Sequence, residues 1–299
     1  MMIDNSRTYR IEDYMSALAS MTKFKITIAV CTTTLVGFVL ARRGIDFDIS
    51  IPALALFLVA SGSAALNHFQ EHQLDARMGR TKGRMISSGM MSSISVLGLA
   101  VVLIGMGVST LYLSAGANPA LLGIIAVFWY NGIYTPLKRV SPYAVIPGGI
   151  IGVLPPLIGW NIGGGHLSDP TIVAFCFFVF MWQVPHFWLL ALHYKNEYEE
   201  AGFPSITQKF SESSLGRIVY SWILATASSA LLIPVYGGID NIISGAIIVI
   251  LGIWISVIQF KLCRIETSSV NYKRAFMELN SYALAVMLIT FIDQLISFS

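Results

Sequence analysis

The sequence predicts an all-α, polytopic transmembrane bundle of about nine helices with a cytoplasmic N-terminus, on three observations. The first is composition: 55% of the residues are hydrophobic, 12% are charged, and the mean hydropathy is +0.70. A soluble domain carries about 25% charged residues, so most of this chain's exterior is expected to face lipid. The second is a series of apolar runs near the roughly 20 residues that a helix needs to cross a bilayer. The third is a lopsided distribution of Lys and Arg between the two sides of that series.

In chain order, the expected spans are 22–41, 51–67, 93–113, 119–137, 142–161, 171–192, 215–236, 239–262 and 277–298. The run at 51–67 is short and has room to continue through Gln73 as one helix. Runs such as 242–258 are apolar all round, whereas a transmembrane β-barrel needs alternation, so helices are expected. Residues 1–21 mix Arg7 and Arg10 with Asp4, Glu12 and Asp13 and have no apolar core, so no cleavable signal peptide is expected. Prolines and glycines crowd Pro142–Trp160, which predicts a broken or kinked helix with its backbone satisfied by protein or a cavity. Cys31, Cys176 and Cys263 are scattered through or beside apolar spans, with neither metal spacing nor a disulfide framework. No soluble domain or low-complexity linker interrupts the series, so residues 1–299 read as a single intramembrane domain.

Of the 19 Lys and Arg residues, only Arg42 and Arg43 fall on one side of the membrane. The others lie before the first span or after the even-numbered ones. Basic residues in short loops stay cytoplasmic, which places the N-terminus and the exits of spans two, four and six inside and the C-terminus outside. The bilayer is the expected environment, and no nucleic-acid partner is expected.

Three polar constellations sit at those cytoplasmic exits. In the stretch Leu66–Arg84, Asn67, Glu71 and Asp75 repeat every fourth residue. On a helix, successive members rotate by only about 40° and line one face over roughly 12 Å. An amide oxygen and two carboxylates suit Mg²⁺, which binds through one or two carboxylates plus substrate phosphates. Arg77, Arg80, Lys82 and Arg84 follow and suit phosphate oxygens. Ionisable groups at membrane depth are costly, so the cluster reads as a metal-diphosphate site. Span four ends with Tyr134, Pro136, Lys138 and Arg139, where the proline frees backbone groups near a polar cavity. Span six ends with Trp182, Pro185, His186, Trp188 and His193, followed by Glu197. His186 and His193 are seven apart, so both can lie on one helical face about 10 Å apart, as haem contacts or proton carriers.

The pattern Asn67-x-x-x-Glu71-x-x-x-Asp75, followed by Arg80-Thr81-x-x-Arg84, resembles the first motif of the intramembrane polyprenyltransferases, the UbiA superfamily. Glu71 stands where Asp is usual. Tyr134-x-x-x-Lys138-Arg139 resembles that family's diphosphate-binding motif, and the run from Trp182 to Pro204 is similar to its haem-prenylating branch. The resemblance implies Mg²⁺ held through Asn67, Glu71 and Asp75, with Glu197 as a further ligand. It implies diphosphate contacts from Arg77, Arg80, Lys82, Arg84, Tyr134, Lys138 and Arg139, with Asn67, Glu71, Asp75 and Lys138 carrying the catalysis. It also implies farnesyl diphosphate as donor and haem B as acceptor, the haem touching His186, His193 and Trp182. Haem-handling or terminal-oxidase assembly proteins are the implied partners, and the lack of a transit-peptide pattern makes a bacterial plasma membrane the expected location. Two other readings stay open: an aromatic or quinone-precursor acceptor, and a non-catalytic haem transporter or assembly factor.

Overall fold

Short polar side chains set five of the helix starts. Each accepts a hydrogen bond from a first-turn backbone N–H that has no partner within its helix. Ser92 receives Ser95 N at 3.1 Å, Asp169 receives Thr171 N at 2.8 Å with Pro170 at the first helical position, and Ser211 receives Ser214 N at 3.3 Å. Asn241 does the same for Ile243 N and Asn271 for Arg274 N. The computed structural model describes residues 11–76, 84–195, 197, 204, 206–263 and 270–296. These form α1 (Ile11–Met21), α2 (Phe24–Arg42), α3 (Ser50–Asp75), α4 (Ser93–Ala115), α5 (Ala117–Leu137), α6 (Val145–Ile162), α7 (Pro170–His193), α8 (Glu212–Val235), α9 (Ile242–Cys263) and α10 (Tyr272–Ile296), with no strand among them.

Eight of these helices, α3 to α10, are long and apolar enough to cross a membrane, and the apolar stretch Ile26–Arg42 of α2 is a shorter ninth. Helices consecutive from α2 onward pack side by side, and α10 returns to α2, which also packs along α6. The largest core cluster joins Phe175, Phe178 and Leu189 of α7 to Leu215 and Ile223 of α8 and to Leu279, Tyr282 and Val286 of α10. Facing outward are side chains such as Ile94 (81% exposed) and Val257 (70% exposed), an apolar exterior that only lipid makes favourable.

The second expected span does continue: α3 runs unbroken through Asp75. Of the break or kink expected in the Pro/Gly-rich fifth span, the break does not occur: α6 is one uninterrupted helix with Pro155 and Pro156 inside it. Close packing holds it. A Cβ at Gly159 would overlap the backbone of Thr34, and one at Gly37 the backbone of Pro156, so α2 and α6 cross backbone to backbone. The irregularity lies one helix earlier. Phe128–Tyr134 within α5 is a π-helical segment, where Thr135 N donates to Tyr130 O rather than to Asn131 O. The last span begins at Tyr272, before the apolar run, because Asn271 caps a charged first turn from which Arg274 pairs with Glu278 of the next turn at 2.9 Å.

Candidate active site

The π-helical segment determines what faces α3. One extra residue in the turn rotates everything after it by about 100°, the angle per residue of a helix. Asn131 O, released from the helix, accepts from Gln70 Nε2 at 3.0 Å, and Asn131 Nδ2 donates to Gln70 Oε1 at 3.1 Å and to Ser63 O at 3.0 Å. Arg139 Nη2 donates to Gln70 O at 2.5 Å. These bonds join α5 to α3 and set Thr135 and Lys138 against the acidic face.

Asn67, Glu71 and Asp75 share one face of α3 and are 0%, 4% and 5% exposed. Asn67 Nδ2 donates to Glu71 Oε2 at 3.0 Å and to Thr135 Oγ1 at 3.1 Å. Lys138 Nζ lies 2.6 Å from Glu71 Oε2, and Arg84 Nη1 lies 2.6 Å from Asp75 Oδ2. Each buried carboxylate thus has its own cation, as burial of charge requires. Glu71 Oε1 is buried without a hydrogen-bond partner, and so is Glu197 Oε2.

Tyrosine rings roof the network. Tyr130 and Tyr134 stack at 5.9 Å, and Lys138 Nζ stands 5.7 Å from the Tyr134 ring centre. Gly148 of α6 gives Tyr134 its room, since a Cβ there would press into that ring. Beyond it, ring contacts run from Tyr134 to Phe187 at 6.3 Å and from Phe187 to His186 at 5.2 Å. His186 also meets Trp182 at 5.1 Å and Phe276 at 4.8 Å, and its Nδ1 is 2.7 Å from Asn280 Oδ1. His193 is exposed beside Tyr194 at 4.5 Å, in surroundings separate from those of His186.

The expected diphosphate residues Tyr134, Lys138, Arg139 and Arg84 therefore gather around α3, while Arg77, Arg80 and Lys82 lie outside the described residues. Among the described residues, no three His, Cys, Asp or Glu side chains gather as a ready-made metal cage. Sequence reasoning treated Lys23 only as a loop charge. The structure brings its Nζ to 2.8 Å from Asn67 Oδ1 and 2.7 Å from the Tyr130 hydroxyl. It does so from a left-handed backbone conformation, φ 48° and ψ 48°, at the break between α1 and α2. Such strain in a non-glycine residue is found where the surroundings over-determine it. Thr135, Gln70, Asn131 and Asn280 were missed as well, because each acts through a partner distant in sequence.

The network can hold an anion with several cations and accommodate one divalent ion at the unsatisfied Glu71 Oε1, beside an aromatic wall. Some known proteins are similar to this chain in sequence and others in fold. Protoheme IX farnesyltransferase of Nitratidesulfovibrio vulgaris (strain DP4) is 34% identical over 227 residues, covering 75% of this chain and 78% of that protein. A digeranylgeranylglyceryl phosphate synthase structure superposes with a TM-score of 0.75 at 14% identity, over 95% of this chain and 99% of the other. A UbiA homologue from Archaeoglobus fulgidus, bound to GPP and Mg²⁺, gives a TM-score of 0.69 at 12% identity, over 92% of this chain and 98% of the other. The UbiA prenyltransferase family model matches residues 30–282, and the chain belongs to that family.

Proposed function

We propose that this enzyme transfers a farnesyl group from farnesyl diphosphate to a vinyl group of protohaem IX, giving haem O. The observation that carries the reading is the buried Asn67–Glu71–Asp75 face, closed by Lys138 and Arg84, which resembles the first motif of the UbiA prenyltransferases; the haem acceptor is taken from the relatives named protoheme IX farnesyltransferase. The related fold solved with GPP and Mg²⁺ supports a divalent ion here, and so does the donor chemistry. Glu71 Oε1 is a buried oxygen in need of a partner, the adjacent Asn67 and Asp75 oxygens are equally hard donors, and Glu197 Oε2 is a further one. When bound, the ion neutralises diphosphate oxygens.

The chain's own side chains do the rest. Lys138 and Arg84 exchange their carboxylate partners for diphosphate oxygens when substrate and metal arrive together. Lys23 and Arg139 add positive charge nearby. As the allylic C–O bond breaks, its electron pair leaves with diphosphate, and these cations stabilise the departing charge. The vinyl π electrons of haem form the new C–C bond to the allylic cation. Water captures the cation generated beside the porphyrin and gives up a proton, leaving a hydroxyl on the new substituent. Tyr130, Tyr134 and Phe187 line the route and exclude water until that bond has formed. Trp182, His186 and, nearer the surface, His193 are the side chains we assign to haem. Residues 1–299 act as one intramembrane domain. We assign the site to the cytoplasmic side on the excess of basic loops, and the membrane to a bacterial plasma membrane on the bacterial relatives, with assembly proteins of haem enzymes as the partners that would deliver or collect the porphyrin.

An acceptor competition tests this reading. Purified protein with Mg²⁺ and farnesyl diphosphate receives haem and a hydroxybenzoate together, and products are identified by mass spectrometry. Farnesylated haem is expected; prenylated benzoate with unchanged haem would replace the reading with the quinone-precursor alternative.

A further inference from the structure

His68 is the other buried polar residue on the acidic stretch of α3. It is 1% exposed, and neither ring nitrogen has a hydrogen-bond partner. A buried imidazole with both nitrogens unsatisfied is expensive, and helices keep such groups where a ligand completes them. Three residues further along the same helix, Glu71 Oε1 is likewise buried and unsatisfied. Residues three apart on a helix are neighbours, so the His68 imidazole and the Glu71 carboxylate lie on adjoining parts of one helix surface. The two orphaned groups thus share one remedy, a cation between them.

We infer that His68 is a nitrogen ligand to the divalent ion of the diphosphate site, paired with Glu71 and biasing that site toward Mn²⁺ or another borderline ion over Mg²⁺. The inference rests on the reading of α3 as the metal-diphosphate helix. Its physical basis is ligand preference: Mg²⁺ takes hard oxygens almost exclusively, whereas imidazole suits later divalent metals. Two protein ligands suffice, because diphosphate oxygens and water fill the remaining positions. His72, one turn further along, is engaged otherwise: its Nδ1 donates to Phe69 O at 2.8 Å.

Pulsed electron paramagnetic resonance of Mn²⁺ bound to the purified full-length protein with inorganic pyrophosphate tests the assignment, using protein with isotopically labelled histidine nitrogen. Wild-type protein is expected to show a histidine-nitrogen coupling that His72→Leu retains and that both His68→Leu and His68→Gln lose. In the His68 variants the ratio of Mn²⁺ to Mg²⁺ affinity falls roughly tenfold or more, the loss seen when even a supporting partner of a metal ligand is removed. His68→Gln keeps a polar side chain in the buried position, so the result does not depend on one variant folding. Bound Mn²⁺ without nitrogen coupling, or coupling that survives both His68 substitutions, overturns the inference and leaves the metal-diphosphate reading intact. Failure of wild-type protein to bind Mn²⁺ with pyrophosphate overturns both.

Discussion

Lys138, just past the end of α5, reaches Glu71 of α3 across 67 residues of sequence and meets it at 2.6 Å, with the glutamate side chain 5% exposed and the lysine side chain 25%. On the proposed mechanism the Lys138 ammonium leaves this carboxylate for diphosphate when substrate binds. Lys138→Ala is expected to lower kcat by about 10²–10³-fold, the usual effect of removing one stabiliser of transition-state charge. Lys138→Arg keeps the charge and retains more activity, read from initial rates of haem conversion.

Removing only one partner of a buried pair leaves the other uncompensated. Glu71 without Lys138 is therefore expected to destabilise the fold, by as much as about 3–5 kcal/mol for a fully buried pair and less here because Lys138 is partly exposed. Pairing Lys138→Met with Glu71→Gln removes both charges and restores the melting temperature in detergent, without restoring turnover.

Tyr134 depends on the empty space at Gly148. Gly148→Ala drives a methyl group into the ring and displaces it from the Lys138 ammonium. The expected outcome is a raised KM for farnesyl diphosphate with a stability loss of about 1–3 kcal/mol, the range for overpacking. Gly159→Ala meets the backbone of Thr34, which has less freedom to yield, and should lower the melting temperature further without a specific effect on KM.

Asn280 holds His186 Nδ1 at 2.7 Å from the far end of the chain. With a carbonyl oxygen as its partner, Nδ1 carries the proton and Nε2 keeps the lone pair that a haem iron would take. Asn280→Ala and His186→Phe are expected to weaken haem binding roughly tenfold or more in an absorbance titration, while farnesyl diphosphate binding stays unchanged.

Much of this was legible in the sequence because helical geometry is local. The four-residue rhythm of Asn67, Glu71 and Asp75 needs only a helix to become one face, and the apolar runs locate nine apolar helices, eight of them long enough to cross a membrane, although α3 runs on to Asp75 and α10 starts at Tyr272. What escaped is tertiary. Lys23 reads as a loop charge until a left-handed turn brings it to Asn67 and Tyr130. The π-helical register of Phe128–Tyr134 carries no composition signal, yet it decides that Thr135 and Lys138 face α3. Prolines 155 and 156 signalled a break that the close contact with α2 does not produce. Asn280 lies 94 residues from the histidine it positions.

The most direct test compares wild-type protein with the Glu71→Gln/Lys138→Met variant in the same assay: farnesyl diphosphate, haem and Mg²⁺ in isotopically heavy water, with the porphyrin product weighed by mass spectrometry. The account predicts that wild-type protein adds a farnesyl group and one labelled hydroxyl to haem, while the folded double variant leaves haem unchanged. Unmodified haem in the wild-type reaction, or equal conversion by the double variant, would contradict it.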